Sequence, residues 1–355
     1  MLNFSEQIHE NVFNYIPITF CVELPINRNG SINQVELNQF ISFYNVLEAN
    51  KEKVANIYNE IQASPQKPIK EMGRFPVVNK KKRNSYMRYR MPISHFVGYN
   101  LWVLKPANLN RGKGIHIFQS LHQLNHLLGE YTKGEKSNRI LTFVVQKYIE
   151  SPLLIDGRKF DIRVWVLLTH EMDCYLFKEG YIRTSSTKFV IDKDNIDNKY
   201  IHLTNNAIQM YAENYGEYEE GNQMSFSMFQ EYLNSYCADR GVRVEKDVWP
   251  HIKNIIRKSI LAVRRKLNPA NRKYSFEIFG YDFIMDSDFN VWLIEVNTNP
   301  CLEESSKLLK SLLPRMIENA FKLTVDSLFP PPAQYMIFPK KVYSVSGYAD
   351  DINLW

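Results

Sequence analysis

Residues 291–300 read VWLIEVNTNP. The apolar run gives way to Glu295, Val296 and Asn297, and in an extended strand those two polar side chains point to one side. Upstream lies YDFIMD, residues 281–286, followed by SDFN, which is rich in turn formers. An antiparallel hairpin centred between Asp288 and Phe289 sets Asp282 directly opposite Glu295. Two carboxylates facing each other across a sheet repel. A divalent cation between them reverses the sign, and Mg²⁺ suits the pair, because it takes a few carboxylate or carbonyl oxygens and keeps water and phosphate elsewhere. A hairpin with one wet face is the plainer alternative.

Other chemistry-bearing residues sit upstream. Lys105 ends the apolar run LWVLKP and is followed by the polar loop ANLNRGKG. In that loop Gly112 and Gly114 let backbone N–H groups approach phosphate oxygens, while Arg111 and Lys113 add charge. An ordinary hairpin turn would also explain it. Gln146, Lys147, Tyr148 and Ile149 close another run and form a candidate hinge whose backbone reads a base edge. In the segment DGRKFDIR, Lys159, Asp161 and Arg163 share one strand face ahead of the apolar VWVLL. Such a row is costly unless charge meets it, from a ligand or from mutual ion pairing. Arg183 and the segment HLTNN, with Thr204 and Asn205, add polar groups near apparent strand ends.

Several chemistries are excluded by missing patterns: there is no GxxxxGK[ST], no His-Arg-Asp or Asp-Phe-Gly, no GxSxG and no HExxH. Cations, a glycine loop and a paired-carboxylate hairpin fit phosphoryl chemistry run by positioning and charge stabilisation.

The elements that must hold these groups can be read coarsely. A helical period runs over 45–62, ended by Pro65 and Pro68. Short strands are expected at LWVLKP, IHIF and LTFVVQKYI, with a helix capped by Ser120 between the last two. A long strand covers KFDIRVWVLLTH. Helices follow at 225–237 and 249–266, then the hairpin, then an amphipathic helix at 305–323. Strands mixed with helices and hairpins predict an α+β, or mixed α/β, protein. The chain of 355 residues can bury a large core in two or three subdomains. The expected division is a helical region at 1–70, a central subdomain at 71–146, a C-terminal subdomain at 147–330 and a tail at 331–355.

Neither a secretory signal nor an apolar run of about 20 residues is present, so no membrane role is expected. Four scattered cysteines without a CxxC suggest a reduced, intracellular protein. The net charge of +6 favours an acidic partner, and Lys80, Lys81, Lys82, Arg83, Arg88 and Arg90 form a basic cluster. A solvated loop, a nucleic-acid surface and a dock for an acidic polypeptide all remain open for it.

These pieces, in this order, resemble the tubulin–tyrosine ligase and ligase-like family. The resemblance covers about 101–330 and is carried by WVLKP, RGKGI, VVQKYI, PLLIDGRKFDIRVWVL, EGYIRTSS, HLTNNAIQ, NYGEYEEGN and the hairpin FEIFGYDFIMD…VWLIEVNTNP. It implies an ATP-grasp fold, with nucleotide between the central and C-terminal subdomains. Lys105 would meet the phosphates, and Lys147 with Gln146, Tyr148 and Ile149 would form the adenine pocket. Arg111, Gly112 and Gly114 would fold over the triphosphate. Lys159, Asp161, Arg183, Thr204 and Asn205 match substrate and phosphate positions, and Asp282, Glu295 and Asn297 match the Mg²⁺ ligands.

The implied reaction is ATP-dependent: an acceptor carboxylate is phosphorylated, and the amino group of a free amino acid displaces phosphate. Arg163, Arg183 and Lys159 are the catalytic candidates, the arginines holding acyl-phosphate and the incoming carboxylate. The implied partners are the acidic C-terminal tail of tubulin and a free amino acid, with no nucleic acid, for a monomer in the cytoplasm, on microtubules or in a cilium. The central stretch resembles the tyrosine ligase itself. The loops KPANLNRGKGI and TNPCLEESS depart from that enzyme, leaving tyrosine, glutamate and glycine open. A non-catalytic microtubule-binding protein and a ligase with another acceptor are the alternative readings.

Overall fold

The structure is a computed structural model describing residues 7–24, 35–63, 95, 98–109, 111–132, 141–192 and 194–330. The basic cluster at 80–90 and the tail at 331–355 lie outside the described residues.

Among the described residues, two antiparallel sheets organise the chain. The first has four strands: β1 (Thr19–Glu23), β2 (Trp102–Pro106), β3 (His116–Phe118) and β4 (Thr142–Lys147), in the order β1-β4-β2-β3. Helix α1 (Val35–Ala63) and helix α2 (Leu121–Thr132) cover it. Helix α1 places Phe40, Phe43, Tyr44 and Leu47 at helical spacing against Phe20, Trp102 and Phe118. It begins ten residues before the periodic stretch read from the sequence, and these four residues lie at or near that earlier end. Ser120 caps α2 as expected, its Oγ accepting from the Gln123 N–H at 3.2 Å.

A helical region at 1–70 was expected, yet residues 19–23 form an edge strand. Only Phe20 and Val22 of β1 are buried, and its partner β4 lies over a hundred residues away, so its local signal is weak. The expectation fails there because pairing, not period, decides a five-residue edge strand.

The second sheet is built from β5 (Leu154–Ile155), β6 (Arg158–Thr169), β7 (Cys174–Lys188), β8 (Gln223–Ser225), β9 (Phe276–Met285) and β10 (Val291–Asn297). Its order is β10-β9-β6-β7-β8, with β5 on β6. Strand β6 explains the architecture. Phe160, Ile162, Val164 and Val166 face one way, into a core with helices α5 (Phe226–Tyr236) and α6 (Trp249–Leu267). Its opposite face carries Lys159, Asp161 and Arg163, and then Trp165, which is covered by helix α7 (Lys307–Thr324) through Leu309, Leu312 and Met316. Two short helices, α3 (Lys199–His202) and α4 (Asn206–Gln209), sit between β7 and β8. Arg183 does not end a strand, as the sequence suggested. It lies inside the 15-residue β7, paired in register with Asp161.

The β9–β10 hairpin brings Asp282 opposite Glu295, as its sequence predicts. The route differs. Near the turn the pairing is Val291 with Met285, Trp292 with Ile284 and Leu293 with Phe283, one residue out from the expected register. The Asp286 carboxylate sets this turn, accepting from the N–H groups of Asp288 at 3.0 Å and Asn290 at 2.9 Å and from the Trp292 indole at 3.0 Å. An irregularity between Leu293 and Glu295 then restores the carboxylate pairing.

Candidate functional site

An open cleft lies between the sheets. Lys105, Gln146, Lys147, Tyr148 and Ile149 line it from the first sheet and its exit, and Lys159, Asp161, Arg183, Thr204, Asn205, Asp282 and Glu295 from the other side. Its apolar walls are Val103, Ile115 and Ile117 on one side and Ile284 and Ile294 on the other. Sequence reading missed those walls, although their alternation on short strands was the available signal.

Five candidate residues, Arg163, Asn297, Arg111, Gly112 and Gly114, are not among those that line the cleft. Arg163 donates from Nε and Nη2 to Asp282, the latter at 2.9 Å. Asn297 donates to Asp282 at 3.3 Å and to Glu295 at 3.2 Å. A Cβ on Gly112 would lie 2.3 Å from Ile208 Cδ1 and 3.2 Å from Asn205 Oδ1, so the glycine loop rests on the Asn205 segment. Arg111, Gly112 and Gly114 all take positive φ, of 57°, 76° and 69°. Among them only the glycines do so without steric cost.

Asp282 is the electrostatic centre. Its carboxylate also meets Arg183 Nη2 at 2.9 Å, and Arg183 donates to both Asp161 oxygens at 2.6 and 2.7 Å. Burial would raise the pKa of Asp282, but Arg163 and Arg183 hold it well below the usual carboxylate range. Burial and then the Asp282 carboxylate push the Glu295 pKa up. Burial lowers that of Lys105, against the pull of Glu295 and Asp282, and Lys105 donates to the Gln146 side chain at 2.9 Å.

Lys159 ends a hydrogen-bond chain whose proton positions follow from donor counting. The Asn195 carbonyl can only accept, so His202 Nε2, 3.1 Å away, carries the proton. His202 Nδ1 therefore accepts from the Tyr148 hydroxyl at 2.9 Å, and that oxygen accepts from Lys159 Nζ at 3.0 Å. Lys159 also donates to the His202 carbonyl at 2.8 Å. Burial pulls its pKa down to about 7 and that of His202 to about 4. The chain was not legible in the sequence, since Tyr148 and His202 are 54 positions apart.

Lys147 spends its ammonium on protein: the carbonyls of Leu101 at 3.0 Å and Tyr148 at 3.2 Å, and Glu150 at 2.6 Å. Glu150 in turn accepts from the N–H groups of Tyr99 and of Leu101, the latter at 2.7 Å. Together they brace the strand exit that lines the cleft. Sequence reading did not single out Glu150.

The donor set suits a hard cation. Each carboxylate oxygen has more than one acceptor site, so the arginine bonds leave Asp282 oxygens able to bind further. A cation would relieve the repulsion that disfavours charge on Glu295. Exchanging the nearly indistinguishable amide atoms of Asn297 would add an oxygen to the set. Among the described residues no three His, Cys, Asp or Glu side chains form a metal-holding group. Two carboxylates and an amide correspond to an ion that keeps water and phosphate as its other ligands.

Comparison with known proteins bears on this geometry. The profile of the "Tubulin-tyrosine ligase family" matches residues 30–334. "Tubulin glycylase 3D" of Tetrahymena thermophila is 38% identical over 230 residues, covering 64% of this chain and 21% of that protein. "Probable alpha-tubulin polyglutamylase Ttll1" of the same organism is 34% identical over 232 residues, 63% of this chain and 54% of that protein. The human "Protein monoglycylase TTLL8" is 35% identical over 237 residues, 64% and 26% respectively. The aligned part thus spans from about a fifth to about half of these relatives. With a family match over most of its length, the chain belongs to the tubulin-tyrosine ligase family.

Proposed function

We propose that the cleft is the nucleotide site of an ATP-grasp ligase that joins a free amino acid to a carboxylate of a tubulin tail. The observation that carries this reading is the convergence of Lys105, Lys159 and Arg183 with the Asp282–Glu295 pair in a cleft that also has facing apolar walls. The base would lie between Val103, Ile115 and Ile117 and the facing Ile284 and Ile294, against the Gln146–Ile149 backbone. The triphosphate would run toward Lys105, with the Arg111–Gly114 loop over it. Lys147 would act through the brace it builds with Glu150.

Asp282, Glu295 and Asn297 would hold Mg²⁺, which supplies charge neutralisation for the polyphosphate. In the first half-reaction an acceptor carboxylate oxygen takes the γ-phosphoryl group and ADP leaves. In the second, the amino nitrogen bonds to the acyl carbon, phosphate departs and the nitrogen gives up a proton. Arg163 and Arg183 are already oriented by Asp282 and Asp161 through Nε and Nη2. We assign their Nη1 groups to the acyl-phosphate and to the carboxylate of the incoming amino acid. Preorganised cations of this kind act without reorganisation cost at the moment of reaction.

Purified protein with Mg·ATP, tubulin and radiolabelled glycine, glutamate or tyrosine tests the reading. Glycine is the first to try, since the relatives named above include glycylases. Incorporation of one amino acid, lost when the tubulin tails are trimmed with subtilisin, is the expected result. Absence of incorporation of all three, with Mg·ATP bound, would contradict it.

Two further outcomes follow from the geometry. A buried lysine titrating near 7 regains its charged form beside a polyphosphate, so nucleotide binding at about pH 7.5 is expected to take up protons. The uptake should fall below about pH 6, where Lys159 is already charged, and should shrink in Lys159→Met. Calorimetry in buffers of different ionisation enthalpy reads it directly. Gly112→Ala combines a positive φ with a clash at Ile208, and is expected to weaken ATP binding about tenfold or more by displacing the loop. A dissociation constant unchanged from that of the parent would remove the loop from the site.

A further inference from the structure

Helix α6 carries a surface that the cleft does not use. Between Asp247 and Glu277 the sequence holds eight Lys and Arg and no acid, more than the chain's whole net charge of +6. Its inner face packs Ile252, Ile255, Ile256 and Ile260 on the second sheet. Lys253, Arg257, Leu261 and Arg264 follow one another at spacings of four and three, which makes a single outward stripe. Arg265 and Lys266 in the last turn, and Arg272 and Lys273 beyond the helix end, add to it, and all are exposed. Lys258 is the exception, paired with Glu10 and with the Tyr15 hydroxyl at 2.6 Å.

A solvated helix face normally alternates signs, because like charges four residues apart destabilise the helix. Here no acid on α6 offsets the repulsion, and among the described residues no ion pair engages Arg264, Arg265, Lys266, Arg272 or Lys273. Part of the cluster suits the helix C-terminus. That does not account for Lys253 and Arg257 in the first half of the helix, nor for Arg272 and Lys273 beyond it. Leu261 and Val263, each 38% exposed, and Tyr274, 70% exposed, stand among the cations.

We propose that this surface docks an acidic polypeptide segment, distinct from the segment that carries the reacting carboxylate. The distinction follows from the fold. Helix α6 packs on the sheet face of Ile162, Val164 and Tyr281, whereas Arg163 and Asp282 point to the other face. Opposite charge and scattered apolar anchors suit a polypeptide. A platform for single-stranded nucleic acid would need several exposed aromatic faces for stacking, and between Asp247 and Glu277 Tyr274 is the one exposed Phe, Tyr or Trp. The choice of an acidic polypeptide rests on the ligase reading, which supplies an acidic acceptor; the surface itself does not.

Labelled poly-L-glutamate is the probe, read by fluorescence anisotropy at low and moderate salt. The variant Arg264→Gln/Arg265→Gln/Lys266→Gln/Arg272→Gln/Lys273→Gln is expected to bind about tenfold more weakly than the parent. A variant neutralising Lys80–Arg83 separates the other basic cluster. Ligation onto a short acceptor peptide should stay within about twofold in the five-site variant, since none of its residues touches the cleft. Should that variant melt early, Arg272→Gln/Lys273→Gln, outside the helix, gives the same comparison. Equal poly-glutamate binding by parent and variant would overturn the proposal, as would a loss seen only with a single-stranded oligonucleotide or phosphatidylserine vesicles. If neither protein ligates any peptide, the ligase reading fails while the binding comparison still stands.

Discussion

Glu295→Gln is expected to unfold at a higher temperature than the parent without nucleotide, and to lose amino-acid transfer by about 10²–10³-fold or more. The two effects have one cause. Burial and the Asp282 carboxylate raise the pKa of Glu295 above 4.5. A carboxyl whose folded pKa exceeds its unfolded value binds its proton more tightly when folded. Stability is therefore lost as pH rises from about 4.5 through the folded value, and the loss is complete above it. An amide cannot ionise and removes that penalty. The difference in melting temperature should be present at neutral pH and vanish near pH 4. The same substitution deletes a cation ligand, so the stabilised protein should be the inactive one. Equal melting and intact transfer would show that the carboxylate pair is a wet hairpin face and nothing more.

The largest stability effect is expected away from the reacting groups, at Arg158. Its guanidinium is 1% exposed and forks onto both oxygens of Glu219, at 2.9 and 2.6 Å. It also donates to Thr184 Oγ1 at 3.2 Å and the Ser185 carbonyl at 3.3 Å, and stacks 4.1 Å from the Tyr218 ring centroid. Arg158→Met would leave Glu219 buried with, among the described residues, only the Thr184 hydroxyl, 2.8 Å away, to answer it. Stranding one partner of a buried pair costs about 3–5 kcal/mol. Urea unfolding should show that loss, and Arg158→Met/Glu219→Gln should recover much of it. Arg158→Lys keeps the charge but not the fork, and should fall between. A single substitution costing under about 1 kcal/mol would mean that the pair is solvated in solution.

The contrast between these sites shows what a sequence can reveal. Asp282 and Glu295 were legible because a hairpin is local: the fourteen residues 282–295 hold the facing pair and the turn between them, and period two sets the facing side chains. Even there the answer survived through an irregularity after Leu293, which the sequence did not announce. The row Lys159, Asp161, Arg163 was legible for the same reason, since an ionic triplet ahead of VWVLL needs a partner. That partner, Arg183, was visible as a residue but not as the mid-strand neighbour of Asp161. Helices α5, α6 and α7 were read to within a few residues because their apolar period is long.

What escaped depends on contacts between distant segments. Strand β1 exists because β4 pairs with it. Arg158 and Glu219 meet across 61 positions, and Lys159 owes its low pKa to a burial that no local pattern reports. The constraint on Gly112 comes from Ile208, a residue of another element. The glycine alone said only that a turn could occur there.

The central claim is that an acceptor carboxylate is activated as an acyl-phosphate in the cleft between the two sheets. A glutamate-rich acceptor peptide labelled with ¹⁸O in its side-chain carboxylates, incubated with Mg·ATP and the amino acid that supports transfer, tests it most directly. Mass spectrometry of the released phosphate should find one ¹⁸O per bond formed, with ADP as the nucleotide product. Unlabelled phosphate, or label appearing in AMP, would contradict the account.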